Sequence, residues 1–80
     1  MYKILIVEDD LALCEELTIL LEKSGYNVQS IKDFTDVYTE MMQSDADLIL
    51  LDITLPGDDG EVLLQRYRKN KETPVIMHKH

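Results

Sequence analysis

Leu48, Ile49, Leu50 and Leu51 form an unbroken apolar run, and it stops on a carboxylate, Asp52. A strand that is apolar on both faces belongs inside a parallel sheet, with helices covering each side. Asp52 then stands at the carboxyl edge of that sheet, where open α/β sheets bind their ligands. Thr54, Leu55, Pro56 and Gly57 force a loop next, because Pro and Gly neither extend a strand nor start a helix interior. The amino-terminal residues repeat the pattern. Tyr2 to Val7 is β-rich and nearly all apolar, and it runs directly into Glu8, Asp9 and Asp10.

The stretches between these strands have helical spacing. Leu13, Leu17, Leu20 and Leu21 recur at i, i+4, i+7 and i+8, which predicts a helix over 11–24 with those four on one face. Asp10 is its expected N-cap and Gly25 its expected stop. Asn27 to Ile31 is short and mixed, as an edge strand would be. Asp33 and Asp36 signal a second helix start, with Phe34, Val37, Met41 and Tyr38 as its apolar stripe. Asp59 can cap a third helix to about Asn70, with Val62, Leu63 and Tyr67 facing inward. Pro74 opens a fourth strand, Val75 to Met77, where a first-position Pro is tolerated. The order βαβαβαβ implies parallel strands joined by right-handed helical crossovers.

Eighty residues make one domain. A chain of this length buries only about 60–65% of its unfolded surface, so its core is small. The net charge of -8 argues against direct binding to nucleic acid or an anionic membrane, which needs a basic face. A single cysteine, Cys14, allows no internal disulfide and reads as a small buried hydrophobe. Ile4 to Val7 is too short for a signal peptide, and no stretch approaches transmembrane length. These features predict a soluble, cytoplasmic chain.

If the two acid-tipped strands are neighbours, Glu8, Asp9, Asp10 and Asp52 meet at one sheet edge. Carboxylates that close repel one another, so some must protonate or share a cation. A hard, oxygen-seeking ion such as Mg²⁺ fits, since it takes one or two carboxylates and keeps several waters. No His or Cys lies among these acids, so zinc is not expected. The plainer alternative is that Asp9 and Asp10 only cap the first helix and Asp52 only begins a loop. Two apolar strands that each end on acids favour a site.

The residues VEDD after the first strand, LILLD before the loop, ITLPGDDG after it and TPVIM at the fourth strand occur in this order. In that pattern the chain resembles the receiver domain of bacterial two-component response regulators, most of all those that precede a DNA-binding effector domain. The resemblance spans residues 1–77 and implies a flavodoxin-like three-layer α/β fold, truncated after the fourth strand. Four parallel strands in the order 2-1-3-4 and three helices are expected. It further implies that Asp52 is the phosphoacceptor, attacking a phosphohistidine of a partner sensor histidine kinase. Asp9 would bind Mg²⁺ directly, Glu8 through water, and Thr54 through its backbone carbonyl. Asp10 falls just outside the ligand pair and remains a helix cap, while Pro56 and Gly60 match loop positions that shape the site. Such a protein is a phosphoacceptor rather than an enzyme, and its output, transcriptional by resemblance, lies in an effector elsewhere.

The chain departs from the family at its end. The Ser or Thr that the family places after the fourth strand is Lys79 here. The Lys and the aromatic switch residue of a fifth strand have no counterpart. Residues 78–80, His78, Lys79 and His80, do not match receiver sequence. His78 and His80 would share a face if the strand continued and could bind a metal, but the three residues read rather as a short exposed tail. Two other functions compete with phosphoryl acceptance. One is a truncated receiver that serves only as a self-association or binding module. The other is a Mg²⁺-dependent phosphohydrolase, disfavoured because Asp52-Ile53-Thr54 lacks a second Asp two residues after the nucleophile. With the fourth strand at the sheet edge, the resemblance also predicts a homo-oligomer, most simply a dimer.

Overall fold

The residues of the two acid-tipped runs alternate between two apolar environments, and that alternation sets the layers. In β1 (Lys3–Val7) and β3 (Leu48–Asp52), one set of side chains faces one helix and the other set faces two. The structure, a computed structural model, describes residues 1–79; the expectation for His80 lies outside them. The remaining elements are α1 (Leu11–Lys23), β2 (Asn27–Ser30), α2 (Val37–Gln43), β4 (Thr54–Leu55), β5 (Asp58–Asp59), α3 (Gly60–Arg68) and β6 (Val75–His78).

The main sheet has the order β2-β1-β3-β6, and every pairing in it is parallel. This is the expected 2-1-3-4 arrangement, with β6 as the fourth strand of the sheet. The extra pair, β4 and β5, forms a small antiparallel hairpin that closes at Pro56 and Gly57. Gly57 has φ +77°, a left-handed conformation that glycine adopts without steric cost.

Leu5, Val7, Ile49 and Leu51 pack with Val37 and Met41 of α2 and Leu63 and Tyr67 of α3. This is the larger core. Ile4 and Ile6 pack with Cys14, and Leu17, Leu21, Leu48 and Leu50 complete that thinner layer from partly covered positions. Cys14 is buried, as expected for a small hydrophobe. Arg66 lies over the Tyr38 ring, 3.9 Å from its centroid, and ties α3 to α2.

The helix caps at Asp10 and Asp59 form as expected, whereas the second helix starts later than expected: Asp33 accepts the Thr35 amide in a turn, Phe34 stays outside the helix, and Asp36 is the cap. Asp10, Asp36 and Asp59 accept from the amides of Leu13, Thr39 and Glu61. Two helix faces differ from expectation. Leu20 is 61% exposed, and the inward face of α1 is centred on Cys14, Leu17 and Leu21. With leucines at 11, 13, 17, 20 and 21, spacing alone does not fix the phase of this helix, and Cys14 decides it. Val62 is 50% exposed, because Gly60, Leu63 and Tyr67 already define the buried stripe of α3 and Val62 falls off it.

Candidate functional site

Strand periodicity carries the polar ends of the strands to one place. Side chains two residues apart on a strand share a face. Ile4, Ile6 and Glu8 therefore share the α1 face, as do Leu48, Leu50 and Asp52. The register pairs Val7 with Leu51 and Asp52 with His78, so Glu8, Asp52 and His78 lie abreast across β1, β3 and β6. Their ligand-type atoms lie within 4.8 Å of one another.

Glu8 and Asp52 are buried, at 2% and 1% exposure. Glu8 Oε2 accepts the Asp10 amide at 3.0 Å, and Asp52 Oδ1 accepts the Thr54 amide at 2.9 Å. Glu8 Oε1 lies 3.8 Å from His78 Nδ1. Asp52 Oδ2 and His78 Nε2 are buried with no hydrogen-bond partner among the described residues. Burial pushes the Glu8 carboxyl above its usual range. The Asp10 amide opposes the shift, the Asp52 carboxylate alongside reinforces it, and His78 relieves part of it.

Of the expected site residues, the fold brings Glu8 and Asp52 together. Asp9 is exposed and lies outside the converging group. Thr54 is exposed at the start of β4 and turns its amide to Asp52. Asp10 serves as the cap of α1. His78 is a correction. It is the last residue of β6, its side chain is 25% exposed, and it joins the acids rather than forming part of an exposed tail. The reason for dismissing zinc, that no His lies among the acids, therefore does not hold in three dimensions. Strand parity could have signalled this, because His78 shares a face with Ile76 and is level with Asp52.

Gly60 holds the base of the site. Its amide donates to the Ile53 carbonyl at 2.9 Å. A Cβ at Gly60 would collide with the Asp52 carbonyl and lie 2.7 Å from Ile53 Cα, both backbone atoms that cannot swing aside. Gly60→Ala is expected to destabilise the fold by about 1–3 kcal/mol, the usual cost of overpacking. A urea unfolding midpoint unchanged from wild type would contradict this.

The donor set, two buried carboxylates and an unsatisfied carboxylate oxygen, fits a divalent cation. Residues 4–79 match the response regulator receiver domain. The sensory transduction protein RegX3 of Mycolicibacterium smegmatis is 38% identical over 77 residues, which are 96% of this chain and 34% of that protein. The chain thus spans about a third of the length of this curated relative. The N-terminal domain of the nisin resistance regulator NsrR superposes with a TM-score of 0.86 at 39% identity, covering 96% of this chain and 65% of NsrR's. The response regulator TrrA of Thermotoga maritima, solved in complex with Mg²⁺ and BeF, superposes at 0.88 with 28% identity, covering 99% of this chain and 70% of TrrA's. TrrA has also been solved in complex with the histidine kinase ThkA, and there the TM-score is 0.82. With its sheet order, its acid-tipped strands and this match over nearly its whole length, the chain belongs to the response regulator receiver domain family.

Proposed function

We propose that the chain accepts a phosphoryl group on Asp52 from the phosphohistidine of a sensor histidine kinase, and that Mg²⁺ assists. The observation that carries this reading is the placement of Asp52. It closes the central strand β3, it is oriented by the Thr54 amide, and Glu8 flanks it. The ThkA–TrrA complex and the Mg²⁺–BeF complex of TrrA support the choice of partner and ion.

An Asp52 carboxylate oxygen attacks the phosphorus, and the phosphorus–nitrogen bond of the phosphohistidine breaks. The electron pair leaves with the imidazole nitrogen, which takes up a proton, and an aspartyl phosphate remains. Glu8 and Asp52 would hold the ion, with Asp9, from outside their cluster, and the Thr54 carbonyl as further ligands. Mg²⁺ supplies positive charge against the transferring phosphoryl oxygens. Asp52 is covered, so a phosphodonor reaches it only when side chains at the rim give way. The reaction modifies the chain itself and is not enzymatic turnover. In this reading the protein works in the cytoplasm and controls a transcriptional effector. The net charge of -8 works against nucleic-acid binding through this segment. No helix among the described residues is long and apolar enough to cross a membrane.

Mass spectrometry after incubation with acetyl phosphate and Mg²⁺ tests the reading. One phosphoryl increment, located at Asp52 and absent in Asp52→Asn, is expected. An unmodified wild-type chain would contradict it.

A second copy of the chain is part of the same reading. β6 is an edge strand, with Ile76 52% exposed. An open apolar groove lined by Tyr2, Leu21, Tyr26, Leu48 and Leu50 runs beside it. Edge strands and apolar grooves of this kind invite pairing. Sedimentation equilibrium at micromolar concentration is expected to show a dimer. A single 9.3 kDa species would exclude it.

A further inference from the structure

We propose that Glu8, Asp52 and His78 form a mixed carboxylate–imidazole site for a divalent transition-metal ion of the Zn²⁺ or Co²⁺ class. The inference rests on the cation-site reading above for its two carboxylates, and it adds a nitrogen ligand that the oxygen-only reading lacks.

Three observations converge on His78. The register sets it directly beside Asp52, on the same face of the sheet. Its Nδ1 is 3.8 Å from Glu8 Oε1, across the carboxylate between them. Oδ2 of Asp52, the residue it pairs with and only 1% exposed, is buried without a partner. Buried polar atoms are ordinarily satisfied, and an orphaned carboxylate oxygen calls for an explanation. No backbone amide or cationic side chain among the described residues reaches that oxygen. A metal ion can satisfy the carboxylate oxygen and an imidazole nitrogen together.

The ligand chemistry selects the class of ion. Mg²⁺ prefers oxygen ligands in octahedral array and keeps its waters, so an imidazole contributes little to its binding. Imidazole nitrogen suits zinc, copper, iron and nickel, and affinity for such sites rises along the first transition row. Metal–ligand bonds of 2.0–2.2 Å in a tetrahedral site put ligand atoms about 3.4 Å apart. The Glu8–His78 separation of 3.8 Å is already close to that, and the 4.8 Å limit of the cluster leaves a contraction that side-chain rotation supplies. Three protein ligands leave a fourth position for water or for a phosphate oxygen.

The test is a Co²⁺ titration of the full chain, followed by visible absorption, with Zn²⁺ competition. Wild type is expected to show the intense bands of a four- or five-coordinate ion and to release Co²⁺ to Zn²⁺. Removing a partner outside the ligand shell already costs 10–100-fold in metal affinity, so losing a ligand should cost at least about tenfold. His78→Ala is therefore expected to lower Co²⁺ and Zn²⁺ affinity by that factor or more and to leave Mg²⁺ affinity unchanged. His78→Gln keeps size and polarity without the imidazole and should behave the same, which guards against a folding defect in the alanine variant. Retained transition-metal affinity in both variants overturns the nitrogen ligand, even if Mg²⁺ still binds and the carboxylate reading stands. An equal loss in His80→Ala also overturns it, because the ion would then be held outside this cluster. Failure of wild type to bind either Mg²⁺ or Co²⁺ overturns both readings.

Discussion

Mg²⁺ at 10–100 times its dissociation constant is expected to stabilise the wild-type chain by about 1.4–2.7 kcal/mol, because a ligand that binds only the folded state adds stability by mass action. In a domain of this size each kcal/mol raises the thermal midpoint by roughly 4–8 °C. Asp52→Asn should reverse the pattern. Without the ion it should melt higher than wild type, by on the order of 1 kcal/mol or more, because it removes one of two adjoining buried carboxylates. The Asn oxygen can still accept the Thr54 amide, and its NH₂ replaces the unpartnered Oδ2 with a donor that can reach the Glu8 carboxylate alongside. With the ion present, the variant should gain little. The charge that destabilises the fold at rest is then the charge that binds the cation. Melts of both proteins with and without Mg²⁺ decide the matter. An Asp52→Asn chain that melts no higher than wild type and still responds to the ion would refute the site.

The parts of this molecule that were legible in its sequence are those set by local chemistry or by unbroken pattern. Leu48 to Leu51 could only be an interior strand, so Asp52 had to end at the sheet edge. Asp10, Asp36 and Asp59 each precede a helical stretch, and N-capping depends on nothing further away than three residues. What was not legible depends on distance or on short elements. The β4–β5 hairpin rests on two residue pairs around Pro56-Gly57, too few for any periodic signal. Spacing does not fix the faces of α1 and α3 at Leu20 and Val62, since apolar residues there exceed what the core can cover. His78 breaks the receiver pattern, so motif matching gives it no role. Its place in the site comes from the β3–β6 register, which is a tertiary fact. Lys79 is exposed and enters no described contact with Asp52, so the family's hydroxyl position has no equivalent donor here.

Without added metal, the stability of the chain is expected to fall as pH rises above about 4.5, and Glu8 is the cause. Its folded-state pKa is raised from an ordinary value of 4.5, first by burial and then by the Asp52 carboxylate. Below that value Glu8 is protonated in both states and contributes no penalty. Above it, the unfolded chain releases the proton while the folded chain keeps it. The folded state then holds more protons than the unfolded one, so stability declines with pH until the raised pKa is passed and is level beyond it. One such group sets a limit of about 1.4 kcal/mol per pH unit in that window. Three exposed acids act with the opposite sign at lower pH. The Thr35 amide holds Asp33 below 3.8, the Thr39 hydroxyl and amide do the same for Asp36, and Lys3 does so for Asp45. Their stabilisation is present above 3.8 and is lost as pH falls through their lowered values. The two effects place the stability maximum between them. Mg²⁺ should flatten the decline above it, since the ionised carboxylate is the form that binds metal. Glu8→Gln should flatten it with no ion at all, because the amide does not titrate. Urea unfolding of wild type and Glu8→Gln across pH 4.5 to 7.5 isolates the contribution, since every other titrating group is common to both. Parallel curves would assign the pH dependence elsewhere. Convergence of the two at low pH, with the variant more stable at neutrality, would show that the fold keeps a destabilising carboxylate at the position where its cation is proposed to bind.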